Sequence, residues 1–572
     1  MSRRCSEWRR VLRDGAAACR ILSPVYGYCP RTLAHRRRRW LEVLDRFADQ
    51  FGDRPVRLCR SPARISLNPH CDHQGAWVPY GTHAREVVAV CGTIPCGPFE
   101  ITNVDPACQP LLRFRVDEEI AVAPGAWEQG WFTYIEHPAV VERRLQSLDV
   151  KGQRRSRTGA INYVRAAALR LRAAYPGLSN IGLQMALSGD ITQASGQSSS
   201  SALVVMTACA LLAAAGRRPG RRSLARLCGE AEWYVGTRGG SGDHAAMLLG
   251  RRAGLTHICF APPFDIRAVR PSPFPEDCQL ILVNSRHRSE KSAEERLLFN
   301  RGVFAYRFAF RALKDALERY APELGIGPAV GAAIQCLGDF HTGRLPAAVI
   351  YRLLRLVPQA ATPYELQARW PDVFAAAARS CFGTVDPAVL PSEIPLRGAA
   401  LYGLGRVDRG RVMPRLLARG DKAAMDEFGR LMSITHDGDR LITHADGRAS
   451  AYMGGVERLT DEWMARLAAA CAHGGRSQAA LRYQPGSYGA STPELDQIVD
   501  IVRRVDGVLG AGLMGAGGGG FVLVLAWEGE PVLAAVRIAL ERDYYRPLGK
   551  EPEVERWQPT APAGELLLSA SG

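Results

Sequence analysis

The stretch "SGQSSSSALVV", residues 195–205, places four consecutive serines directly before an apolar run. Such a stretch is typical either of a flexible linker or of a loop that holds phosphate at the start of a helix. The following segment, "ALVVMTACALLAAA" at 202–215, favours a helix, so unpaired backbone N–H groups and serine hydroxyls would meet at its N-terminus. An anion site and serines that merely cap the helix are both compatible with this stretch. A P-loop is excluded, because no lysine follows.

The composition indicates a globular protein. Of 572 residues, 47% are hydrophobic and 23% charged, and the length allows two to four domains. The run at 202–215 is shorter than the roughly 20 residues that a membrane-spanning helix needs, so it predicts a buried helix and no membrane partner. The N-terminus lacks the apolar region of a secretory signal, so we expect a cytoplasmic protein. The fifteen scattered cysteines, without C-x-x-C pairs, predict reduced thiols.

The net charge of +16 suits anionic partners, which include nucleotides as well as nucleic acids. The densest basic run is "HRRRRW" at 35–40, within a first segment of about forty residues that carries no catalytic pattern. We interpret these residues as solvated arginines. A contact with nucleic acid or with a protein partner is the alternative.

Hydrophobic periodicity predicts a mixed α and β protein. The helices and strands expected in the first half are a helix at 39–51, a strand at 86–94, a helix at 158–177 and a strand at 181–190. A strand at 278–285 precedes a long helix, and residues 326–400 show helical periodicity without evident chemistry. The proline-rich region at about 250–275 predicts the break between the two halves.

A second glycine-rich motif lies near the end of the chain. The segment "LMGAGGGGFVLVL" has five glycines in the six positions 515–520, immediately before a predicted strand. This many glycines are expected where the backbone passes very close to something else. Contact with a ligand and tight packing against another chain segment are both open.

A third motif, "RSPARISLNPHCDHQGAWVP", brings Arg64, His70, Asp72 and His73 within ten residues on a loop that leaves a strand. Dense polar residues on such a loop are typical of a binding site, and a surface turn with hydrogen-bonded side chains is the alternative. A metal site at the two histidines is not favoured, because no further cluster of His or Cys ligands accompanies them.

Taken in order, the three motifs resemble those of the GHMP sugar and small-molecule kinases, specifically the galactokinase branch. "SPARISLNPHCDHQG" is similar to P-G-R-V-N-L-I-G-E-H-T-D-Y-N-G but one residue shorter, and "GQSSSSAL" at 196–203 resembles G-L-S-S-S-A-A-L. Residues 515–520 resemble G-A-G-x-G-G. The resemblance covers roughly residues 40–540, interrupted by an apparent insertion around 330–400.

This resemblance implies an α/β (α+β) fold of two domains, the GHMP kinase fold, with the active site in the interdomain cleft. The expected division is a basic N-terminal extension at 1–40, an N-terminal domain at 41–255 and a C-terminal domain at 256–572 that contains the insertion. The serines would then form a phosphate loop. The sequence does not give the oligomeric state, and we expect a monomer.

The resemblance also implies an ATP-dependent sugar kinase that phosphorylates the anomeric hydroxyl of galactose or a related aldose. Phosphoryl transfer depends mainly on positioning and charge neutralisation. The residues that match the family's functional positions are the catalytic pair Asp243 and Arg64; the substrate-binding residues His70, Asp72 and Gly242; the ATP-binding residues Gly196, Gln197, Ser198, Ser199, Ser200, Ser201, Gly515 and Gly517; and the Mg²⁺ ligands Ser200 and Glu232. The structural alternatives are a salt bridge for Arg64 and Asp243, and an exposed helical glutamate for Glu232.

The chain departs from the galactokinase pattern at the acceptor side. Pro69 stands where the family has a glutamate, and Gly242-Asp243-His244 replaces M-D-Q. Loss of a carboxylate partner changes discrimination between hydroxylated substrates, so a related aldose or a modified sugar is as plausible as galactose. The alternative function is a catalytically silent, galactokinase-like regulator that binds sugar and ATP.

Overall fold

The computed structural model describes residues 2–105, 111–146, 149–150, 153–154, 159–178, 181–192, 196–287, 293–445, 448–455, 457–472 and 477–567. Ser195, the first residue of the serine stretch, lies outside these ranges.

The described residues form 19 strands and 21 α-helices. The strands are β1 Arg3–Arg4, β2 Pro55–Ser66, β3 Trp77–Pro95, β4 Phe99–Asn103, β5 Leu112–Phe114, β6 Asp149–Val150, β7 Gln153–Arg154, β8 Ile181–Gly189, β9 Leu255–Ala261, β10 Asp265–Ser272, β11 Cys278–Asn284, β12 Ala360–Ala361, β13 Ile394–Pro395, β14 Ile442–Ala445, β15 Arg448–Ala451, β16 Val508–Leu513, β17 Phe521–Trp527, β18 Val554–Arg556 and β19 Gly564–Glu565. The helices are α1 Cys5–Arg13, α2 Gly15–Tyr26, α3 Pro30–Phe51, α4 Val116–Ile120, α5 Pro124–Gln129, α6 Trp131–Glu136, α7 Pro138–Gln146, α8 Gly159–Ala174, α9 Ser199–Ala214, α10 Arg221–Glu232, α11 Gly242–Leu249, α12 Ala293–Tyr320, α13 Pro328–Ala332, α14 Ala347–Leu356, α15 Pro363–Arg369, α16 Pro371–Phe382, α17 Arg397–Arg419, α18 Lys422–Asp437, α19 Asp461–Ala472, α20 Pro493–Val502 and α21 Glu530–Leu540.

The first sheet, nine-stranded among the described residues, is built on the long β2–β3 hairpin. Its main order is β1-β2-β3-β8-β4-β5, with β9 and β10 added at the start of β3 and β19 added to β2. Because side chains alternate along a strand, Val88 and Val90 of β3 pack with α1 and α3, whereas Ala89 and Cys91 pack on the face that carries α8 to α11. Both faces of the sheet are therefore covered by helices.

The N-terminal helices belong to this fold rather than extending from it. Trp8, Trp40 and Phe47 are fully or almost fully buried and share a core with Val56 and Val88 of the sheet. The segment predicted as a basic N-terminal extension, residues 1–40, therefore packs on the first sheet, which covers the apolar faces of α1 to α3.

The prediction that the arginines of residues 35–40 are solvated is wrong for two of them. Arg36 is buried, and its Nη1 lies 2.6 Å from Asp190 Oδ2 while its Nη2 donates to the carbonyl oxygen of Ala84 at 2.6 Å. Arg39 Nη1 lies 2.5 Å from the same Asp190 oxygen. The arginines are buried because α3 presents them to a carboxylate at the end of β8, a partner that composition cannot reveal.

The second sheet has the order β16-β17-β11-β18, with all neighbours antiparallel. On β11, Leu282 shares a core with Phe428 of α18, and Val283 shares another with Ile498 of α20. The glycine-rich run occupies the turn between β16 and β17. That turn brings the end of the second sheet against the first.

The predicted insertion is a helical layer. Helices α13 to α16 pack with α12, α17 and α19 around a core that includes Phe304, Tyr351 and Phe374.

The first sheet also continues beyond the domain boundary predicted at residue 255, because β9 and β10 pair with each other and β9 pairs with β3. The mixed helix-and-sheet fold agrees with the prediction.

The apolar run at 202–215 forms the buried helix α9, as predicted. In the part of the chain that the structure describes, no helix is long and apolar enough to cross a membrane. Every cysteine within the described ranges is a free thiol.

Removal of Arg36 tests the buried arginine cluster. Arg36→Ala is expected to lower the free energy of unfolding by about 3 kcal/mol, because it leaves Asp190 and Glu86 with one fewer buried partner. Urea unfolding monitored by tryptophan fluorescence measures this change. The control, Arg38→Ala, alters an exposed arginine on the same helix and should change stability by less than about 0.5 kcal/mol. Equal loss of stability in the two variants would contradict a specific role for the buried cluster.

Candidate active site

A cavity of ≈ 230 Å³ lies where the first sheet, helices α9 to α11 and the glycine-rich turn meet. Residues from all three sequence motifs form its wall. Those predicted as site residues are Arg64, His70, Asp72, Gly196, Ser198, Ser199, Ser200, Glu232, Asp243, Gly515 and Gly517. Segments separated by up to about 450 residues therefore converge on one space, as a cleft between two domains requires.

The serine loop supplies the start of α9. Ser198 adopts left-handed backbone angles (φ 61°, ψ 49°) and precedes the first helical residue, Ser199. The unpaired N–H groups of the first helical turn, together with the helix dipole, favour an anion at this position. Gln197 is fully buried and is not part of the cavity wall, so its side chain does not contribute to this anion site.

Arg64 and Asp243 form an ion pair at the cavity wall. Arg64 extends from β2, and its Nε donates to Asp243 Oδ1 of α11 at 2.6 Å. Its Nη1 also donates to the carbonyl oxygen of Gly196 at 2.5 Å, which ties the pair to the serine loop. Burial opposes the charge of Arg64, but the carboxylate of Asp243 outweighs burial and raises the pKa of the guanidinium.

Both carboxylate oxygens of Asp243 are engaged. The hydroxyl of Ser198 donates to Oδ2, while Arg64 holds Oδ1. The Asp243 side chain nevertheless keeps 32% of its surface exposed, toward the cavity, whereas Arg64 is 5% exposed. Arg64 and Ser198 thus fix the Asp243 carboxylate in position, and part of its surface remains accessible from the cavity.

Glu232, the last residue of α10, fits the predicted role in holding a divalent cation. Its side chain is 15% exposed, so the alternative of an exposed helical glutamate is wrong. Its Oε2 accepts a hydrogen bond from Ser201 at 2.7 Å and lies 2.9 Å from His244 Nε2. Ser200 and Glu232 both line the cavity, and hydroxyl and carboxylate oxygens are ligands that Mg²⁺ prefers.

No group of three or more His, Cys, Asp or Glu residues in the described ranges is arranged to hold a metal. Magnesium in phosphoryl-transfer sites is commonly held by one or two protein oxygens together with phosphates and water. The single carboxylate beside the serine loop matches that mode of binding.

The glycine-rich turn approaches the serine loop so closely that a side chain would not fit. A Cβ on Gly515 would lie 2.5 Å from the carbonyl oxygen of Gly196. Gly517 has φ +80°, a left-handed conformation that glycine adopts without strain, and a Cβ on it would lie 1.8 Å from the carbonyl oxygen of Ala490. The structure shows the tight packing against another segment, and Gly515 and Gly517 also line the cavity. Contact of these glycines with a ligand stays a prediction.

The loop of the third motif, where the sequence predicts the acceptor site, forms another part of the cavity wall. Asp72 Oδ2 accepts from the backbone N–H of Gly242 at 3.1 Å, and Asp72 Oδ1 lies 3.1 Å from His73 Nδ1. Burial opposes ionisation of Asp72, but the hydrogen bonds from His73 and Gly242 outweigh it and lower the pKa of the carboxyl to about 2. An ionised carboxylate therefore lines the same cavity as Asp243 and is hydrogen-bonded to the residue that precedes Asp243.

His70 is held in a strained conformation in the same loop, with φ 64°. Its ring lies 5.3 Å from that of Tyr488, and its Nε2 has no hydrogen-bond partner among the described residues. Burial and the charge of Arg406 lower the pKa of His70 well below its usual value, so the ring is neutral. A strained, unpartnered, neutral imidazole at a cavity wall is suited to a hydrogen bond with a bound hydroxyl.

Sequence reasoning missed the aromatic residues of the wall. The cavity is also lined by Trp233, directly after α10, by Phe299 of α12 and by Tyr488 in the segment before α20. No local motif marks them, because each comes from an element whose position depends on tertiary packing. The tyrosine in "QPGSYGAS" offers only the weak signal of an aromatic between glycines.

Sequence reasoning also missed the support behind the acceptor loop. Arg406 of α17 is fully buried, lies 2.5 Å from Asp439 Oδ2 and donates to the backbone carbonyl of Pro69. Its guanidinium sits 4.2 Å above the Tyr402 ring. The position that carries proline instead of glutamate is therefore held by a buried arginine from the other part of the molecule.

Comparison with known families agrees with this geometry. The model of the GHMP kinases N terminal domain matches residues 162–251, which include the serine loop, Glu232 and Asp243. The model of the GHMP kinases C terminal matches residues 453–545, which include the glycine-rich turn. The two matches fall on the serine loop and on the glycine-rich turn, in the order expected from the resemblance to the GHMP kinases. Members of that family are phosphotransferases.

Two similar proteins are galactokinases. The galactokinase of Thermosipho africanus (strain TCF52B) is 38% identical over 77 residues, and the match spans 14% of this chain and only 20% of that protein. The crystal structure of Lactococcus lactis galactokinase complexed with galactose has a TM-score of 0.57 at 18% identity, covering 91% of this chain and 98% of that chain. The second match shows a shared fold over nearly the whole chain.

The contact between the two loops can be tested at Gly515. Gly515→Ala is expected to weaken binding of a non-hydrolysable ATP analogue with Mg²⁺ about tenfold, because the added methyl group pushes the glycine-rich turn away from Gly196. Titration calorimetry measures the affinity. In the control, Gly331→Ala, the methyl group meets open space and the affinity should be unchanged. Unchanged affinity in Gly515→Ala would show that the close approach does not matter for nucleotide binding.

His70 should contribute to destabilisation by acid. Its folded-state pKa lies below the unfolded value of about 6.5, so its contribution to stability is complete above that pH and is lost as the pH falls, when the unfolded chain takes up a proton that the folded chain does not. His70→Phe is expected to lose less stability than the parent between about pH 7 and pH 5, measured by urea unfolding. His287→Phe, at a histidine with 41% exposure, should keep the parental dependence. A parental pH dependence in His70→Phe would contradict a neutral buried His70.

Proposed function

We propose that this protein is an ATP- and Mg²⁺-dependent sugar kinase that phosphorylates the anomeric hydroxyl of galactose or a related aldose, giving a sugar 1-phosphate and ADP. The observation that carries this proposal is the position of Asp243. Its carboxylate faces the cavity between the start of α9, where phosphates are favoured, and the loop that holds His70 and Asp72.

The proposed reaction follows from this arrangement. The acceptor hydroxyl oxygen bonds to the γ-phosphorus of ATP, the bond from that phosphorus to the β–γ bridging oxygen breaks, and ADP leaves with the electron pair. The hydroxyl proton passes to the carboxylate of Asp243. Arg64, beside Asp243 and the serine loop, places positive charge near the transferred phosphoryl group.

A bound Mg²⁺ would neutralise charge on the nucleotide phosphates, and Ser200 and Glu232 are the residues that would hold it. Ser201 and His244 fix the orientation of Glu232 through contacts to its Oε2. The N–H groups at the start of α9 and the glycine-rich turn would hold the phosphates themselves.

The acceptor site is proposed to differ from that of galactokinase in one contact. Pro69 offers no side-chain carboxylate, and its carbonyl oxygen is taken by Arg406. The polar groups left for the acceptor are the carboxylate of Asp72 and the imidazoles of His70 and His73, surrounded by aromatic rings. This lining favours an aldose with an apolar face, held by fewer charged contacts.

Substitution of Asp243 tests the proposal. Purified protein with Mg-ATP is screened against free aldoses for ADP release, and we expect turnover on at least one of them. Asp243→Asn should lower kcat by at least about a hundredfold, because an amide cannot accept the hydroxyl proton. The matched control, Asp265→Asn, alters an aspartate with 57% exposure outside the cavity and should retain activity.

Two outcomes would contradict the proposal in different ways. Turnover that survives in Asp243→Asn would remove this residue from the mechanism. Binding of sugar and ATP analogue without turnover on any aldose would indicate the galactokinase-like regulator instead of a kinase.

A further inference from the structure

A second cavity, of ≈ 180 Å³, lies behind the acceptor loop. Its wall is formed by Gly75 to Trp77 at the start of β3, by the β9–β10 hairpin, by the turn around residues 338–344 and by α17. Asp72 and His73 line the first cavity, and Gly75, two residues after His73, is the first residue of the same loop that lines the second cavity. The two cavities thus share a loop but no residue.

The second cavity is strongly basic. Arg267, Arg344 and Arg411 line it, and Asp339 is the one carboxylate in its wall. Asp339 Oδ1 lies 3.2 Å from Arg267 Nη1 and 3.5 Å from Arg344 Nη1, so a single oxygen is shared by two guanidinium groups. Three positive charges therefore face one negative charge.

Arg411 makes no hydrogen bond or ion pair with any described residue, although it lines the cavity. Clusters of arginine guanidinium groups bind tetrahedral oxyanions through several charge-assisted hydrogen bonds, which is why they are common at phosphate sites. Arg411 has no hydrogen-bond or ion-pair partner among the described residues, and Arg267 and Arg344 share one oxygen of Asp339. Several N–H donors are therefore left for a ligand.

His341 adds a further donor. Its Nδ1 accepts a hydrogen bond from the backbone N–H of Gly343 at 3.1 Å. Burial and the charges of Arg411 and Arg344 lower the pKa of His341 to about 4, so the ring is neutral at physiological pH and its proton is on Nε2. Trp77 contributes an apolar side chain to the wall of the same cavity.

We propose that this second cavity binds the phosphate group of a small phosphorylated metabolite, at a site separate from the active site. The residues that supply most of its polar wall, Asp339, His341 and Arg344, come from the segment that interrupts the resemblance to galactokinases. The shared loop gives such a ligand a direct structural connection to Asp72: Cys336 of that segment packs against Gly75, where a Cβ would lie 2.5 Å from its Sγ.

Equilibrium binding of inorganic phosphate and of glucose 6-phosphate tests the proposal, with the active site saturated by Mg²⁺ and a non-hydrolysable ATP analogue. We expect both probes to bind, and Arg411→Gln and Arg344→Gln each to weaken binding about tenfold or more. The matched control is Arg415→Gln, one turn further along α17 and exposed, which should leave binding unchanged. Thermal unfolding of each variant shows whether it is folded. Arg411 has no hydrogen bond or ion pair with the described residues to lose, so Arg411→Gln keeps the test valid if Arg344→Gln is unstable.

Absence of binding, or binding that is unaffected in Arg411→Gln, would overturn the proposal. Binding of inorganic phosphate alone, without the ester, would overturn the assignment to a phosphorylated metabolite. Phosphate binding to the second cavity is measured without turnover, so its outcome does not depend on whether the protein is a kinase. Asp243 lines only the first cavity, and Asp243→Asn therefore tests the kinase proposal separately.

Discussion

The ion pair between Arg64 and Asp243 is the interaction on which the rest of the site depends. It joins β2 of the first sheet to the first turn of α11, and the same guanidinium holds the carbonyl oxygen of Gly196. Sheet, helix and serine loop must all be in place for it to form. Because removal of one member of a buried pair leaves an uncompensated charge, each of these elements is constrained by the other two.

Buried arginines recur elsewhere in the molecule and explain much of its composition. Arg36 holds α3 to the end of β8, and two arginines of α17 hold backbone carbonyls: Arg406 that of Pro69 and Arg409 that of Arg482. Burial lowers the pKa of Arg409 to about 9, with the charge of Arg406 acting in the same direction. Several of the arginines that contribute to the net charge of +16 are therefore enclosed and hydrogen-bonded within the protein.

The parts of the site that could be predicted from the sequence are those in which the backbone conformation requires particular residue types. The serine stretch and the glycine run are visible because a helix start and a close approach of two loops each require particular residue types. Arg64, Asp72 and Asp243 followed from their resemblance to family motifs, and the structure brings them to one cavity. The fold class followed from the alternation of helical and strand periodicity.

The remainder depends on packing that no local pattern encodes. Phe299 and Tyr488 reach the cavity only because α12 and the segment before α20 lie beside the loop that carries His70 and His73. Arg406 is buried only because Asp439 and the Pro69 carbonyl are brought to it. The same limitation applied to the basic run at 35–40, where the positions of Arg36 and Arg39 are set by the distant Asp190. Whether an arginine is solvated or enclosed is a property of its partners.

The pairing of β19 with β2 has a consequence for how the protein is made. Glu565 pairs with Cys59, and Arg60 donates to the carbonyl oxygens of Ala561 and Pro562, some 500 residues further along the chain. While the ribosome is still extending the chain, β2 leaves backbone groups unpaired along that edge, and such exposed edges promote association between chains. The nascent protein therefore spends most of its synthesis with an incomplete first sheet, a period in which a chaperone that covers strand edges would be of most use.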